Sequence, residues 1–176
     1  TAMNLIIRPS RDDDITTLAS FYIGSVRTGT ASWEYDPPDV AEFARRRTEV
    51  LARGYPYFTA ELDGAPVGYA YASAYRARIG YRFVVEDSIY VDPAFKGRGI
   101  GGKLLMTLID ECTHLRYRQM VAVIGDSENQ ASIRLHEACG FTRAALFRGI
   151  GYKFGRWLDS VQMQRALGAG STAPPD

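Results

Sequence analysis

The sequence predicts an α/β fold of the α+β type, in which a mixed central sheet of about seven strands carries about four helices. Two observations lead to this prediction. Apolar residues recur at helical spacing in four segments, and the remaining apolar segments are short or alternate with polar residues, as strands do. Three strand segments follow one another without a helix, which predicts an antiparallel meander within the sheet. The predicted order is β-α-α-β-β-β-α-β-α-β-β.

The first third of the chain combines one strand with two helices. LIIRP (5–9) is a short apolar strand candidate, and three aspartates (12–14) then precede apolar residues at helical spacing from Ile15 to Val26. Acidic residues at a helix start favour the positive end of the helix dipole. PPDVAEFARRRTEVLARG (37–54) is the second predicted helix, because proline stands near its start and glycine at its end.

The following segments predict the meander and the other two helices. In YFTAELDGAPVGYAYASAY (57–75), strand alternation is broken by Asp63-Gly64, a strong hairpin signal. The remaining strands are predicted at RFVVEDSIYV (82–91), at QMVAVIG (119–125) and twice within 141–167, and the remaining helices at 101–115 and 129–140. We interpret residues 1–167 as a single domain and residues 168–176 as a disordered tail. Thr1 and Ala2, before Met3, are interpreted as residues added during cloning.

Composition excludes several classes of protein. Of the 176 residues, 46% are hydrophobic and 23% are charged, and the net charge is +1. This balance creates no global field toward nucleic acid or a membrane surface, so we expect neither partner. No apolar run approaches the ~18 residues of a membrane span and no signal-peptide pattern occurs, which predicts a cytoplasmic protein. Cys112 and Cys139 lack metal-ligand spacing, so we expect reduced, buried thiols and no metal.

The stretch FKGRGIGGKLL (95–105) places four glycines and three basic residues directly before an apolar helical run. A helix start leaves N–H groups unpaired and carries partial positive charge, and glycine lets the backbone approach a ligand closely. This context predicts a phosphate-binding loop. A plain glycine-rich turn with exposed basic side chains is the alternative.

Two nucleotide motifs overlap this loop. Gly97, Gly99 and Gly102 satisfy the dinucleotide pattern G-x-G-x-x-G, and Asp126 is a candidate ribose-binding acid, but five residues separate the loop from its strand. The pattern G-x-x-x-x-G-K also fits, except that Leu104 stands where a hydroxyl group must hold magnesium. A nucleotide- or NAD-binding protein is therefore the alternative from another functional class.

With its flanking residues, the same stretch resembles the acetyl-CoA loop of the GNAT acetyltransferases. The family signature is Gln or Arg, two residues, Gly, one residue, then Gly or Ala. Lys96, Gly99 and Gly101 occupy these places, with Lys as a departure from Gln or Arg. NQASIRLHEACGF (129–141) resembles the next family element, in which Asn begins a helix and a Gly-Phe pair ends it. The element order also matches the GNAT fold, so the resemblance covers nearly the whole chain and implies acetyl-CoA as cosubstrate.

Three segments narrow the resemblance. VVEDSIYV (84–91), the stretch 121–141 and GYKFGRWLD (151–159) resemble the phosphinothricin acetyltransferases and the related methionine sulfoximine or methionine sulfone acetyltransferases. The implied reaction moves an acetyl group from acetyl-CoA to the α-amine of an amino-acid-like compound. A different small amine is the alternative acceptor. The resemblance also implies a homodimer, built in part by the C-terminal strands near the active site.

An ammonium group cannot attack a thioester, so the acceptor amine needs a base. Glu86 lies in an apolar strand, where partial burial raises the pKa of a carboxyl group toward neutral pH. The resemblance places the catalytic Glu at this position. A solvent-facing carboxylate paired with Arg82 is the alternative. Strand alternation directs Asp87 to the opposite face, which makes it the weaker candidate for the base.

The resemblance implies further roles around the acetyl donor. His136 stands where many GNAT enzymes carry Tyr, and we expect it to donate a proton or a hydrogen bond to the CoA sulfur; a satisfied interior histidine is the alternative. Backbone N–H groups of a splayed strand at Ile89 to Val91 are expected to polarise the thioester carbonyl. Asn129 is expected to contact the CoA arm or to serve mainly as a helix cap. The predicted acetyl-CoA-binding residues are Ile89, Tyr90, Val91, Lys96, Gly97, Arg98, Gly99, Ile100, Gly101, Gly102, Asn129 and Ser132.

YRARIGYR (75–82) supplies the candidate clamp for the acceptor's carboxylate. Guanidinium groups bind carboxylates and phosphinates through two parallel hydrogen bonds. The alternation suggests that the three arginines of this stretch share one face of a hairpin tip, and an ordinary solvated hairpin is the alternative. Tyr75 and Arg76 match the substrate-contact stretch of the resembled group. The predicted substrate-binding residues are Tyr75, Arg76, Arg78, Arg82, Asp87 and Ser88.

Overall fold

A computed structural model describes residues 4–175, so the interpretation of Thr1 and Ala2 and the end of the predicted tail at Asp176 lie outside the described residues. Within residues 4–175, four helices pack on a seven-stranded sheet of order β1-β2-β3-β4-β5-β7-β6. The strands are β1 (Leu5–Pro9), β2 (Tyr57–Leu62), β3 (Ala65–Ala74), β4 (Val84–Val91), β5 (Gln119–Ile124), β6 (Thr142–Lys153) and β7 (Arg156–Ala166), and the helices are α1 (Ile15–Thr28), α2 (Val40–Ala52), α3 (Ile100–His114) and α4 (Gln130–Ala138). The predicted fold class and element order are confirmed.

Polar side chains fix the starts of two helices. Asp39 Oδ1 accepts a hydrogen bond from the Glu42 backbone N–H at 2.7 Å, so α2 begins at Val40 and not at residue 37. Asn129 Oδ1 accepts one from the Ser132 N–H at 3.2 Å, which places the start of α4 at the next residue. Asn129 therefore serves as the helix cap that the sequence left as one of its two roles.

Turn geometry explains why one predicted strand boundary is correct and another is wrong. Asp63 (φ 49°) and Gly64 (φ 88°) both adopt the left-handed conformation that a tight hairpin turn requires, which confirms the predicted β2–β3 hairpin. The strand predicted from residue 82 instead begins at Val84, because Ile79–Tyr81 form a 3-10 turn and Arg82 keeps helical backbone angles after it.

Alternate residues of β4 face two different helical layers. Val85 and Ile89 belong to the larger hydrophobic cluster, which contains Leu104 and its neighbours on α3. Tyr90 belongs to the second cluster, which contains Leu18 of α1 and residues of α2. Since side chains alternate along a strand, Glu86 and Ser88 lie on the α1–α2 face and Asp87 lies on the α3–α4 face.

β4 and β5 run parallel but pair over a short stretch only. The pairing covers Val84–Glu86 against Gln119–Val121. Beyond Glu86, β4 continues to Val91 paired with β3 on its other side, and no strand within residues 4–175 pairs with its β5 edge. The two strands therefore separate and leave a wedge between them.

The C-terminal residues and the cysteines complete the description. Arg118 donates hydrogen bonds to the carbonyls of Gly170, Ala173 and Pro174, and the division into a domain and a disordered tail stays a prediction. Cys112 and Cys139 are unpaired and buried, as expected. Among the described helices, none is both long enough and apolar enough to cross a membrane.

Candidate active site

A cleft of about 1290 Å³ lies where β4 and β5 separate. Its walls are β4 and the glycine loop on one side, β5 and α4 on another, and α1 with the loop that follows it on a third. Of the residues predicted for catalysis, cofactor or substrate binding, those that line it are Glu86, Asp87, Ser88, Ile89, Tyr90, Val91, Lys96, Gly97, Gly99, Ile100, Gly101, Gly102, Asn129, Ser132 and His136. Chain segments distant in sequence therefore converge on one site.

The β4 edge presents backbone hydrogen-bonding groups to the cleft. The Asp92 N–H donates to Val67 O in β3, and peptide direction alternates along a strand, so the N–H groups of Ile89 and Val91 point to the β5 side. An extended ligand can pair with such an edge as an added strand does. The splayed strand expected at these residues is present.

The glycine loop lines the cleft next to the N-terminus of α3. Gly97 and Gly99 have φ angles of 75° and 77°, and Gly99 caps α3, whose first turn directs N–H groups outward. A side chain at either position would be strained in this left-handed conformation. Lys96 lines the cleft, whereas the Arg98 guanidinium stacks over the Phe95 ring at 5.0 Å. The loop and the β4 edge thus fit the pyrophosphate and the amide-containing arm of CoA.

Glu86 is the titratable group best suited to proton transfer. It is half-buried on the α1–α2 face, and among the described residues none donates a hydrogen bond or forms an ion pair with its carboxylate. Burial, assisted by the charge of Asp87, raises the pKa of Glu86 to about 7. A carboxyl group in this condition exchanges its proton near neutral pH. The alternative of an ion pair with Arg82 is not observed, since Arg82 stacks on Phe83.

Asp87 and His136 form a buried pair on the opposite face of β4. His136 Nε2 lies 3.1 Å and 3.3 Å from the two Asp87 carboxylate oxygens, and His136 Nδ1 lies 2.7 Å from the Ser132 carbonyl oxygen. Both ring nitrogens are therefore already hydrogen-bonded in this arrangement. The role predicted for His136 at the CoA sulfur stays a prediction.

The arginine-bearing turn lies outside the cleft. Tyr75, Arg76, Arg78 and Arg82 do not line it, and the three guanidinium-bearing residues are exposed. They do not share a strand face, because the 3-10 turn breaks the alternation after β3. Tyr75 instead points back over the sheet, where its hydroxyl donates to Gln162 Oε1 at 3.3 Å. The predicted clamp is near the start of β4 and separate from the cleft of its own chain.

Sequence reasoning missed the third wall and its anchors. Residues 28–32 line the cleft, and Lys153 holds them from β6: its ammonium group donates to the carbonyls of Val26 (2.8 Å), Gly29 (3.0 Å) and Ser32 (2.8 Å). The Trp33 indole donates to Gly125 O at 2.7 Å and packs on Gly151, where a Cβ would lie only 2.6 Å from the ring. No local pattern signals these contacts, because each joins residues far apart in sequence.

Comparisons with known proteins decide the family. Residues 20–141 match the Acetyltransferase (GNAT) family. The chain is 50% identical over 170 residues to the phosphinothricin N-acetyltransferase of Alcaligenes faecalis, covering 97% of this chain and 86% of that protein. The chain belongs to the GNAT family.

Further matches agree with GNAT membership. The L-methionine sulfoximine/L-methionine sulfone acetyltransferase of Salmonella typhimurium is 48% identical over 114 residues, which cover 65% of this chain and 66% of that protein. The crystal structure of a GNAT phosphinothricin acetyltransferase from Sinorhizobium meliloti with acetyl-CoA has a TM-score of 0.95 and 46% identity, covering 98% of this chain and 93% of that chain. The GNAT chain is therefore an acyltransferase with acetyl-CoA as its cosubstrate.

GNAT membership also excludes the alternative that the glycine loop belongs to a nucleotide- or NAD-binding protein. Asp126, the candidate ribose-binding acid, is instead buried and accepts hydrogen bonds from Thr30 Oγ1, Arg156 Nη2 and the Glu128 N–H at 2.8, 2.8 and 2.9 Å. Among residues 4–175, no group of three or more His, Cys, Asp or Glu side chains is placed to hold a metal ion.

Replacing Lys153 tests the anchor of the third wall. Lys153→Met keeps the length of the side chain but leaves three carbonyls without their donor, so we expect the free energy of unfolding to fall by about 3 kcal/mol in urea denaturation. Lys103→Met, at an exposed position on α3, is the matched control and should change it by less than about 0.5 kcal/mol. Equal effects of the two substitutions would contradict the anchoring role.

Proposed function

We propose that this enzyme transfers the acetyl group of acetyl-CoA to the α-amine of a small amino-acid-like acceptor of the phosphinothricin, methionine sulfoximine or methionine sulfone type. The observation that carries the proposal is Glu86, half-buried at the point where β4 and β5 separate, with no partner for its carboxylate among the described residues. The names of the relatives at 50% and 48% identity support the acceptor class. A different small amine as acceptor remains the alternative from the same family.

Glu86 acts as the general base in this proposal. Acetyl-CoA, when bound, supplies the thioester carbonyl that the acceptor amine attacks. The Glu86 carboxylate takes the proton that the ammonium group must lose, directly or through a water molecule. Because the pKa of Glu86 is raised to about 7, the carboxylate is a stronger base than an exposed glutamate and is still largely ionised above neutral pH.

Backbone groups of β4 supply the electrostatic part of the site. The N–H groups of Ile89 and Val91 point toward the cleft, where they can stabilise negative charge on a carbonyl oxygen. Such donors are fixed by the β3–β4 pairing and need no reorganisation. Lys96 and the first turn of α3 hold the pyrophosphate end of the cosubstrate in this proposal.

The acceptor site is proposed on the α1–α2 face beside Glu86. Ser88 lies on the same face one alternation further along β4, and Tyr75 crosses the sheet toward Gln162. Arg76, Arg78 and Arg82 stay the predicted ligands of the acceptor's acidic group, although the exposed turn that carries them lies outside the cleft of its own chain. Asp87 is a weaker candidate for acceptor contact, because its carboxylate is bonded to His136.

An amine panel tests the acceptor class. Purified enzyme with acetyl-CoA should release free thiol in the presence of phosphinothricin, methionine sulfoximine or methionine sulfone, followed with a thiol-reactive dye, and N-acetylated product should appear in mass spectra. Compounds with the α-amine already acetylated serve as controls and should give no thiol. Release with other amines alone, across neutral to alkaline pH, would overturn the acceptor class and leave the acetyltransferase intact.

Glu86→Gln tests the general base. The substitution removes the proton acceptor with little change in shape, so kcat should fall by roughly 10²-fold or more. In the unmodified enzyme, kcat/KM should decline as the pH falls below about 7, where the Glu86 carboxylate becomes protonated, and this limb should be missing from the variant. Glu49→Gln, at an exposed position on α2, is the matched control. A near-normal rate in Glu86→Gln would clear Glu86 of the role.

A homodimer is proposed through the C-terminal hairpin. Within the described chain, β6, β7 and the turn between them expose a group of large apolar side chains: Leu146, Phe147, Ile150, Tyr152, Phe154 and Trp157. Exposed apolar patches of this kind typically mark interfaces. A second copy is the proposed partner, as the resemblance implies, and the cytoplasmic location stays a prediction.

Sedimentation equilibrium tests the dimer. Trp157, the most exposed of these side chains at 68%, should be central to the interface, so Trp157→Lys should shift the mass from dimer toward monomer without loss of fold. Ile79→Lys, at 77% exposure on the turn before β4, is the control and should leave the mass unchanged. A monomeric unmodified enzyme at micromolar concentration would overturn the proposal.

A further inference from the structure

The Asp87–His136 pair connects two walls of the cleft. Asp87 belongs to β4 just beyond the last residue that pairs with β5, and His136 belongs to α4, which also carries Ser132 and is capped by Asn129. Both side chains are about 5% exposed, and the closest contact joins His136 Nε2 and Asp87 Oδ2 at 3.1 Å. The pair therefore joins β4 to α4 just beyond the stretch over which, among residues 4–175, β4 pairs with β5.

The hydrogen-bond partners of His136 determine how many protons the pair holds. A backbone carbonyl only accepts, so the contact with Ser132 O at 2.7 Å requires a proton on Nδ1. A carboxylate also only accepts, so the contact between Nε2 and Asp87 requires a second proton. Two protons on one imidazole make it an imidazolium.

Electrostatics agree with this count. Burial alone would oppose the charge on His136, but the hydrogen bond and the charge of Asp87, with the Ser132 carbonyl, raise the pKa of His136 above its usual value. Cys112 of α3 and Cys139 after α4 also feel the Asp87 charge, and burial raises the pKa of both thiols, that of Cys112 to about 12. The Arg165 guanidinium also acts on Cys139, where its charge lowers the pKa that burial raises. Of these groups, His136 is the one in direct contact with the Asp87 carboxyl group. On the other face of β4, Glu86 lies beside Asp87 and Tyr71 lies opposite Ser88.

We propose that Asp87 is a positioning residue for acetyl-CoA: it holds His136 as an imidazolium and thereby ties the CoA-binding face of α4 to β4. Asn129 and Ser132 are then presented to the cleft at a fixed distance from the β4 edge. The Phe141 ring packs edge-on against His136, with the ring centroids 5.0 Å apart, and limits its rotation. The inference deepens the proposed function and rests on its assignment of the cleft to acetyl-CoA.

Nitrogen-15 NMR of the imidazole ring tests the charge of His136 without any assay of activity. The chain has two histidines, and His114 is exposed outside the cleft, so His114→Gln leaves His136 as the single signal. We expect both ring nitrogens to be protonated at neutral pH. In the Asp87→Asn background the amide can donate to Nε2, so the ring should become neutral with its proton on Nδ1. A neutral His136 in the unmodified pair, or the same spectrum in both proteins, would overturn the proposal.

Calorimetric binding of acetyl-CoA, without an acceptor, tests the positioning. Asp87→Ala removes the contact with His136 and should raise the Kd for acetyl-CoA about tenfold. Asp87→Asn keeps a neutral hydrogen bond to His136 and should raise this Kd about threefold. In kinetics, KM for acetyl-CoA should rise by a larger factor than kcat falls. Asp110→Asn, exposed on α3, is the matched control and should leave Kd unchanged. If Asp87→Ala does not fold, the nitrogen-15 spectrum of Asp87→Asn and its Kd for acetyl-CoA test the proposal in its place.

The outcomes separate this inference from the proposed function. Failure of the unmodified protein to bind acetyl-CoA would remove the proposed function and the inference together. Tight binding that is unchanged in both Asp87 variants would overturn the inference alone. A fall in kcat of a hundredfold with unchanged Kd would also overturn it, because the pair would then act on the reaction and not on binding.

Discussion

The separation of β4 from β5 after Glu86 is the constraint on which the site depends. Three residue pairs join the strands, and β4 then continues with one edge unpaired. Backbone N–H groups that are buried without a partner cost free energy, so such an edge persists in a stable protein when it borders a solvent-filled or ligand-filled cleft. The same edge that disrupts the sheet therefore supplies the hydrogen-bonding groups of the cosubstrate site. An extended ligand with amide groups restores the missing pairing in the manner of an added strand.

The separation also gives two consecutive carboxyl groups opposite roles. Glu86 faces the α1–α2 layer, where burial without a partner raises its pKa to about 7. Asp87 faces the α3–α4 layer, where His136 meets it at 3.1 Å. Strand alternation at the point of separation creates this difference, since neighbouring side chains point into different environments.

The features that could be predicted from the sequence are those that depend on residues close together in the chain. Helix spacing, the Asp63-Gly64 turn and the glycine loop depend on neighbouring residues, so the fold class, the element order and the loop that lines the cleft followed from them. The arrangement of the 75–82 stretch did not follow, because Ile79–Tyr81 form a 3-10 turn that breaks the strand alternation on which the prediction rested. The three hydrogen bonds from Lys153 to the end of α1 and the loop after it join residues 121 to 127 positions apart, and no local pattern encodes such contacts.

Buried charged groups, together with apolar packing, hold the walls of the cleft at defined positions. Lys153 donates to three carbonyls in the last turn of α1 and the loop after it. Asp126 accepts hydrogen bonds from three segments, and Asp87 and His136 join β4 to α4. Apolar contacts are not directional, whereas each of these groups must satisfy several hydrogen bonds at once and is costly to leave unpaired. A wall that shifts would break such a set together, so the open cleft has one favoured geometry. Few backbone hydrogen bonds join the two sides of the wedge between β4 and β5. Side-chain hydrogen bonds of this kind are therefore needed if the cleft is to bind its ligand without a prior rearrangement of its walls.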